Sequence, residues 1–499
     1  MLALAQCALV ALLAVWLLVL RWPLGYPPEW VWQASAMPTP MHGLFGIARA
    51  LLASGVLVGA ALWMRQRGTH PRFWTAATLL LLVGSVFLCQ VALSVGYPGG
   101  MAWAVASQFS PVASEYFDSA FRLEDPVSYC RDYLETMRHA GYHLATHPPG
   151  MVLLHWVFVV PARDIEIGRA LATRFAEGVG GMSLAELGRF ARRYPGAAQL
   201  PDGAVPAAAA AAVAPSLFGA LSLIPLFALV RRLTDISRAL WVALLFATAP
   251  SLLLLGQCAD QWVLFISMVL AWLAVEGITR DHWVWFAAAG VVAGLGTAVT
   301  FGFLTCCVAV GVLAVVLSPS RPTVRRLAIR AVAFASGFAG AWALVSVTLG
   351  VNLIAVCEQG LNAHARATLG PQRTHAVWAW LNFVELALFL GLPVAARVAS
   401  MVWAQLKLWS PRRPMTAGLA LAVAGLSAMV LPSALGLVRG EVGRIWLFLM
   451  PLLVAGALPA PGPGQPANEV PPWLAMTASL QIAQVLLMAA VMLPMVRPY

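Results

Sequence analysis

Long apolar runs separated by short charged loops set the pattern of this chain. Runs at 2–20, 73–96, 239–256, 415–437 and 473–493 approach or exceed the roughly 20 residues a helix needs to cross about 30 Å of hydrocarbon. Helix is the form they must take, because an open sheet edge in lipid leaves backbone donors and acceptors unpaired. The pattern predicts an all-α polytopic membrane protein, a single transmembrane domain over 1–499 with about 13 transmembrane helices and the N-terminus inside. The first run lacks a basic start and a small-residue cleavage site, so it reads as a retained helix and not as a removed signal peptide.

Three stretches interrupt that rhythm. Segment 98–147 is polar and carries six acids (Glu115, Asp118, Glu124, Asp125, Asp132, Glu135) against three arginines (Arg122, Arg131, Arg138). The apolar run after it, 148–161, has only 14 residues, short for a crossing and suited to a re-entrant element. An amphipathic insertion follows at 162–206, with EIGRALATRFAEGVGGMSLAELGRFARR at 165–192 as its patterned part. It either supplies a return crossing or lies beside the membrane. PAPGPGQPANEVPP, at 459–472, is a proline-rich connector.

Composition agrees: 61% of residues are hydrophobic and 10% charged, a balance that excludes a water-soluble protein of this size. The net charge of +11 invites nucleic acid as a partner. The basic residues, however, sit in short loops, at 65–72, 321–330 and 403–414, which the positive-inside rule places in the cytoplasm. Counting crossings from there puts 98–147, 357–378 and 439–444 together on the opposite side; the expected setting is the plasma (inner) membrane, with the polar chemistry facing outside. Seven cysteines form no CxxC or zinc spacing and read as small core residues.

Within 98–147 two helices are expected at the membrane surface. SPVASEYFDSAFRL starts with Ser110 as cap and Pro111 in the first turn, and DPVSYCRDYLETMRHAG starts at Asp125 before Pro126. Asp118 and Arg122 stand four residues apart and can pair on a solvated face. Alternatively Glu115 and Asp118, beside Tyr116 and Phe117, are carboxylates shielded for chemistry.

The stretch HLATHPPGMVLLHW, 143–156, places His143 and His147 at the i, i+4 spacing of a helical metal pair. Pro148 pushes His147 out of the helical region and spoils that geometry. The two prolines instead open a helix with Thr146 as cap. His147 then sits beside a helix N-terminus that favours an anion such as phosphate.

These motifs resemble the GT-C superfamily of integral membrane glycosyltransferases, and within it the protein O-mannosyltransferase and aminoarabinose-transferase-like branch. SEYFDSAF is similar to the family's acidic outer-loop motif and THPPG to its Pro-Pro motif. APSLLLLGQCADQW (249–262), HARATLGPQRTHAVWAWLN (364–382) and RGEVGRIWLFLMP (439–451) look like further stretches of bacterial relatives. Two departures stand out: the acidic motif follows the third predicted span instead of the first, and Glu115 stands where an aspartate is usual. The base is therefore open between Glu115 and Asp118.

The resemblance implies transfer of a sugar from a polyprenyl-phosphate carrier to an acceptor hydroxyl or amine, with inversion and on the extracytoplasmic face. Its partners would be the lipid-linked donor, membrane lipids and a glycan, lipid or protein acceptor. Glu115 or Asp118 would take the proton, while His147, Asp260, Gln261, His364, Arg366, Arg373, Glu441 and Arg444 would hold the sugar and the lipid phosphate. No cluster of metal ligands stands out, although a divalent ion (Mg or Mn) is used by some relatives. Two other functions fit a helical bundle: a secondary transporter, or a non-catalytic scaffold related to these enzymes. Mid-span charges are few (Arg49 and Glu385) and polar residues gather in the outer loops, which favours chemistry at the membrane surface over transport.

Overall fold

The computed structural model describes residues 2–21, 23–32, 55, 59, 71–96, 100–110, 115–180, 182–192, 201, 203–318, 323–369, 373–407, 415–457 and 472–491. The proline-rich connector 459–472 lies outside the described residues but for its last position, as does the Pro111 start of the first outer helix.

Among the described residues, seven helices are long and apolar enough to cross a membrane: Leu2–Leu20, Phe73–Ser94, Ala204–Leu233, Asp260–Arg280, Val324–Leu349, Ala417–Ala434 and Trp473–Val491. The pair His375–Leu390 and Leu392–Lys407 passes the same test together but meets at 115°, the geometry of a broken span or a re-entrant loop. The chain is an all-α polytopic membrane protein. Other apolar runs among the described residues fold as helices of 10–17 residues, Ile236–Ala247, Trp283–Val299 and Phe301–Val316.

Small residues let these helices touch, since lipid tails give them no hydrophobic reason to associate. Trp283–Val299 packs on Val324–Leu349, and a Cβ at Gly290 would lie 2.0 Å from the Phe334 carbonyl oxygen, one at Gly337 2.1 Å from that of Ala287. On the far side of Val324–Leu349, Val332, Leu344 and Val347 are exposed, an apolar stripe suited to lipid.

The bend at Gly391 frees backbone groups that lipid cannot satisfy, and glutamines supply partners for them. Gln481 donates to the Leu390 carbonyl at 2.9 Å, Gln484 accepts from the Leu392 N–H and donates to the Leu388 carbonyl, and Gln6 donates to the Pro393 carbonyl at 2.7 Å. Thr248 completes the set by donating to Gln481 at 2.8 Å. Polar residues in the apolar runs of Leu2–Leu20 and Trp473–Val491 thus hold a broken helix in place.

The all-α pattern has one exception among the described residues. Leu24–Tyr26 and Trp30–Trp32 form an antiparallel hairpin directly after the first span. In the outer segment, Asp125 caps Pro126–Arg131 by accepting from the N–H groups of Val127 and Ser128, as its place before a proline implies. The expected second helix then breaks at Asp132 and continues as Tyr133–His139. Thr146 is not the cap of the helix after the two prolines. It ends a one-turn helix, Tyr142–Thr146, and donates back to the Tyr142 carbonyl at 2.7 Å, while the next helix runs Gly150–Asp164. Hydroxyls of threonine reach back this way when the chain before them is already helical. Insertion 162–206 contains Glu166–Gly180 and Leu184–Ala191, the latter opened by a capping box of Ser183 and Glu186.

Charge collects at the two ends of Asp260–Arg280, a helix of 21 residues and so about 30 Å long. Around Arg280, Glu276 accepts from Arg280 at 2.6 Å and pairs with Arg232 at 3.3 Å, and Asp281 pairs with Arg330 at 2.9 Å. Around Asp260 stands a different cluster.

Candidate active site

Asp260 opens its helix, and Arg444 reaches it across the bundle: Nη1 donates to Asp260 Oδ2 at 3.3 Å and Nη2 to Glu441 Oε2 at 2.8 Å. The other oxygen of Glu441 accepts from Arg373 Nη2 at 2.9 Å. One carboxylate therefore bridges two guanidiniums. Arg373 also donates to the Arg439 carbonyl at 2.6 Å, Arg439 returns a bond to the Arg373 carbonyl at 2.8 Å, and the Arg373 guanidinium lies 5.1 Å from the centre of the Trp30 ring. Side chains of Asp260, Arg373, Glu441 and Arg444 keep 20 to 31% of their surface exposed, so the cluster is shielded yet reachable.

The loop carrying Glu441 and Arg444 is held from the bent span. Asn382 Oδ1 accepts the Gly440 N–H at 2.9 Å, and one helical turn on, buried Glu385 accepts the Gly443 N–H at 3.0 Å. Gly440 (φ +87°) and Glu441 (φ +60°) both take the left-handed conformation, costly for a residue with a Cβ. Space is short as well, since a Cβ on Gly440 would lie 2.9 Å from the Trp378 ring. The N-terminal hairpin braces the other side: Glu29 accepts from the Thr374 N–H and hydroxyl and from Trp378 Nε1, all within 2.6 to 2.7 Å.

Facing the cluster is the outer segment. Tyr116 is buried, and its ring stands 5.9 Å from that of His147 in an edge-to-face arrangement. Burial pushes the Tyr116 phenol well above its usual range, and the carboxylates of Asp260 and Glu115 push it the same way. His147 Nδ1 lies 3.0 Å from the His143 carbonyl oxygen and from the Thr146 hydroxyl, which itself donates to the Tyr142 carbonyl; two acceptors at Nδ1 favour the tautomer with the proton there and Nε2 as an acceptor. Burial, with His143 and then Arg444 adding to it, lowers the His147 pKa to about 3. Burial alone would raise Glu441, but Arg444 and Arg373 outweigh it and hold the carboxyl below the usual range. Arg444 is likewise disfavoured by burial and is more than restored by Asp260 and Glu441.

Of the residues singled out in the sequence, Asp260, Arg373, Glu441 and Arg444 converge, and His147 stands on the neighbouring outer segment against Tyr116. Half-buried His364 lies at the edge, its Nδ1 3.4 Å from the Tyr142 hydroxyl and its Nε2 3.3 Å from the Leu437 carbonyl oxygen. Glu115 sits beside Tyr116 but is engaged: it accepts the Leu144 N–H at 3.1 Å, and a Cβ on Gly141 would fall 2.0 Å from its Oε1. Asp118 points outward, its two oxygens 2.9 and 3.1 Å from Arg122 Nε. Gln261 turns into the bundle and donates to the Leu252 and Leu255 carbonyls. Arg366 is exposed on Leu353–Leu369 and joins no ion pair among the described residues. Nothing in the sequence pattern marks Glu29, Asn382 or Tyr142. Glu385 was visible as a rare mid-span charge.

A divalent ion does not fit this donor set. Among the described residues no three His, Cys, Asp or Glu side chains gather as ligands, and both carboxylates of the cluster are already matched by arginines.

Fold and cluster together define an all-α polytopic membrane protein with an arginine–carboxylate network at one end of its bundle. In solved structures the chain is similar to the Archaeoglobus fulgidus oligosaccharyltransferase. Tethered with an acceptor peptide containing the NVT sequon, that protein matches at 14% identity and a TM-score of 0.41, over 76% of this chain and 49% of that one. Its apo form matches at 14% and 0.40, over 76% and 50%, and its complex with Zn and sulfate at 15% and 0.36, over 76% and 48%. The chain spans about half the length of those structures. No family model and no curated protein matches its sequence.

Proposed function

We propose that the protein is a membrane glycosyltransferase that moves a sugar from a polyprenyl-phosphate carrier to an acceptor hydroxyl or amine at the outer face of the plasma membrane. The observation that carries this reading is the convergence of Arg373 and Arg444 with Glu441 and Asp260, from segments far apart in sequence, at one end of a helix of membrane length. Two arginines side by side suit a phosphoryl group, whose oxygens match their planar donors. The arginine-rich end around Arg280 and Arg330 fits the cytoplasmic side, which supports an outer face for the Asp260 end.

In the proposed reaction the acceptor oxygen or nitrogen attacks the anomeric carbon, a carboxylate takes its proton, and the bond from that carbon to the phosphate oxygen breaks. Negative charge grows on the leaving lipid phosphate, where Arg373 and Arg444 stabilise it. A single displacement inverts the anomeric centre. We place the base at Glu115 or Asp260, the carboxylates beside Tyr116, and give Asp118 the lesser claim because it pairs with Arg122 in solvent. His147 Nε2 accepts a hydrogen bond from a sugar or acceptor hydroxyl, and the sugar lies between it and Asp260.

A transporter is favoured by one observation, the broken span with buried Glu385 and Arg397. Both are occupied, however. Glu385 accepts from Gly443 and Trp32, and Arg397 lies against the Trp473 ring and the Ala457 carbonyl. The test is transfer from polyprenyl-phosphate sugars by the purified protein in lipid, with Glu115→Gln, Asp118→Asn and Asp260→Asn beside the wild type. Loss of roughly 100-fold or more in the variant lacking the base, with Asp118→Asn near wild type, supports this account. Uptake into vesicles without transfer favours the transporter, and neither activity leaves a scaffold.

A further inference from the structure

We propose that Glu441 is a built-in occupant of the phosphate seat: its carboxylate holds the places on Arg373 and Arg444 that two phosphoryl oxygens of the donor take, and donor binding displaces it. This deepens the proposed function and rests on its assignment of those arginines to the lipid phosphate.

Four features point this way. Each oxygen of Glu441 takes an N–H from a different arginine, at 2.9 Å from Arg373 and 2.8 Å from Arg444. A phosphoryl group presents the same pair of anionic oxygens on one atom, so carboxylate and phosphate compete for one geometry. Charge argues against simple addition as well. Asp260 and Glu441 already stand against Arg444 and Arg373, and a phosphate added beside them would be a third anion within a few ångströms. Exchange keeps the balance.

The backbone allows the exchange without moving. Gly440 is fixed by Asn382 and Gly443 by Glu385, so Glu441 is anchored on both sides and only its side chain needs to rotate. Both arginines also keep a partner when it leaves: Arg373 stays on the Arg439 carbonyl and Arg444 on Asp260. The seat therefore remains shaped while its occupant changes.

Binding of farnesyl phosphate to the full chain in lipid nanodiscs, measured by calorimetry, tests this. Glu441→Gln removes the charge, while Glu441→Asp keeps it on a side chain too short to bridge both arginines. Displacement predicts that both variants bind more tightly than wild type, the glutamine by about tenfold and the aspartate by a smaller but clear factor. Tightening in the glutamine alone would mean that Glu441 acts only by its field, and weakening in both that it orients the arginines. Either result overturns the proposal. Arg444→Gln separates the two layers of argument: if it binds farnesyl phosphate as well as wild type does, the assignment of the arginines fails first. Unfolding temperatures measured alongside identify any variant that has lost its fold, and Glu441→Asp, the milder change, then carries the decision.

Discussion

Glu385 accepts the backbone N–H of Gly443 at 3.0 Å, tying a carboxylate buried in a bent membrane span to the loop that presents Arg444. One turn away Asn382 does the same for Gly440. Replacing Asn382 with alanine or Glu385 with leucine leaves a buried N–H unpaired, at a cost of about 1–3 kcal/mol each. Both variants should unfold at lower temperature and bind farnesyl phosphate more weakly, because the loop no longer holds Arg444 in register with Arg373. Thermal unfolding and calorimetry on the same samples check this.

The bend at Gly391 gives a second prediction. Its φ is +98°, and a Cβ there would lie 2.4 Å from Gln481 Nε2. Gly391→Ala should therefore destabilise the protein by about 1–3 kcal/mol, and Gln481→Leu should destabilise it too by freeing the Leu390 carbonyl in an apolar setting. Denaturation in detergent micelles would show both.

Much of this site was legible in the sequence, and its limits have physical causes. Charges in short apolar-flanked loops marked Asp260, Arg373, Glu441 and Arg444, since a charge near the bilayer needs a reason to be there. Direction around a helix was harder to read. Gln261 follows Asp260 by one residue and points about 100° away into the bundle, and Asp118 lies two positions from buried Tyr116 and so faces solvent. Arg366 stands in the same relation to His364. Glu29 and Asn382 were missed because their partners lie 345 and 58 residues away, a pairing that local periodicity does not carry. Apolar length marks a buried segment more surely than a full crossing, and Trp283–Val299 and Phe301–Val316 are apolar helices of fewer than 18 residues.

His147 predicts a pH effect. Its folded pKa is lowered from 6.5 to about 3, so between those values the unfolded chain binds a proton that the folded one refuses. Stability should fall as pH drops from about 6.5 towards about 3, and His147→Gln should flatten that slope. Unfolding temperatures across the range test the sign. Equal slopes in both proteins would place the effect elsewhere.

The outer segment offers a contrast between neighbours. Asp118→Asn breaks an exposed pair and should change stability by less than about 1 kcal/mol. Gly141→Ala should cost more, because its methyl group would displace the Glu115 carboxylate from Leu144. Urea unfolding of the two variants compares them directly.

The most direct test of the central claim is a cryo-EM map of the protein in nanodiscs with a bound polyprenyl phosphate. The account predicts phosphate density within hydrogen-bonding distance of both Arg373 and Arg444, with Glu441 turned aside and the lipid tail leaving between helices. Phosphate density at the Arg280 and Arg330 end, or anywhere that leaves Glu441 still bridging the two arginines, would contradict it.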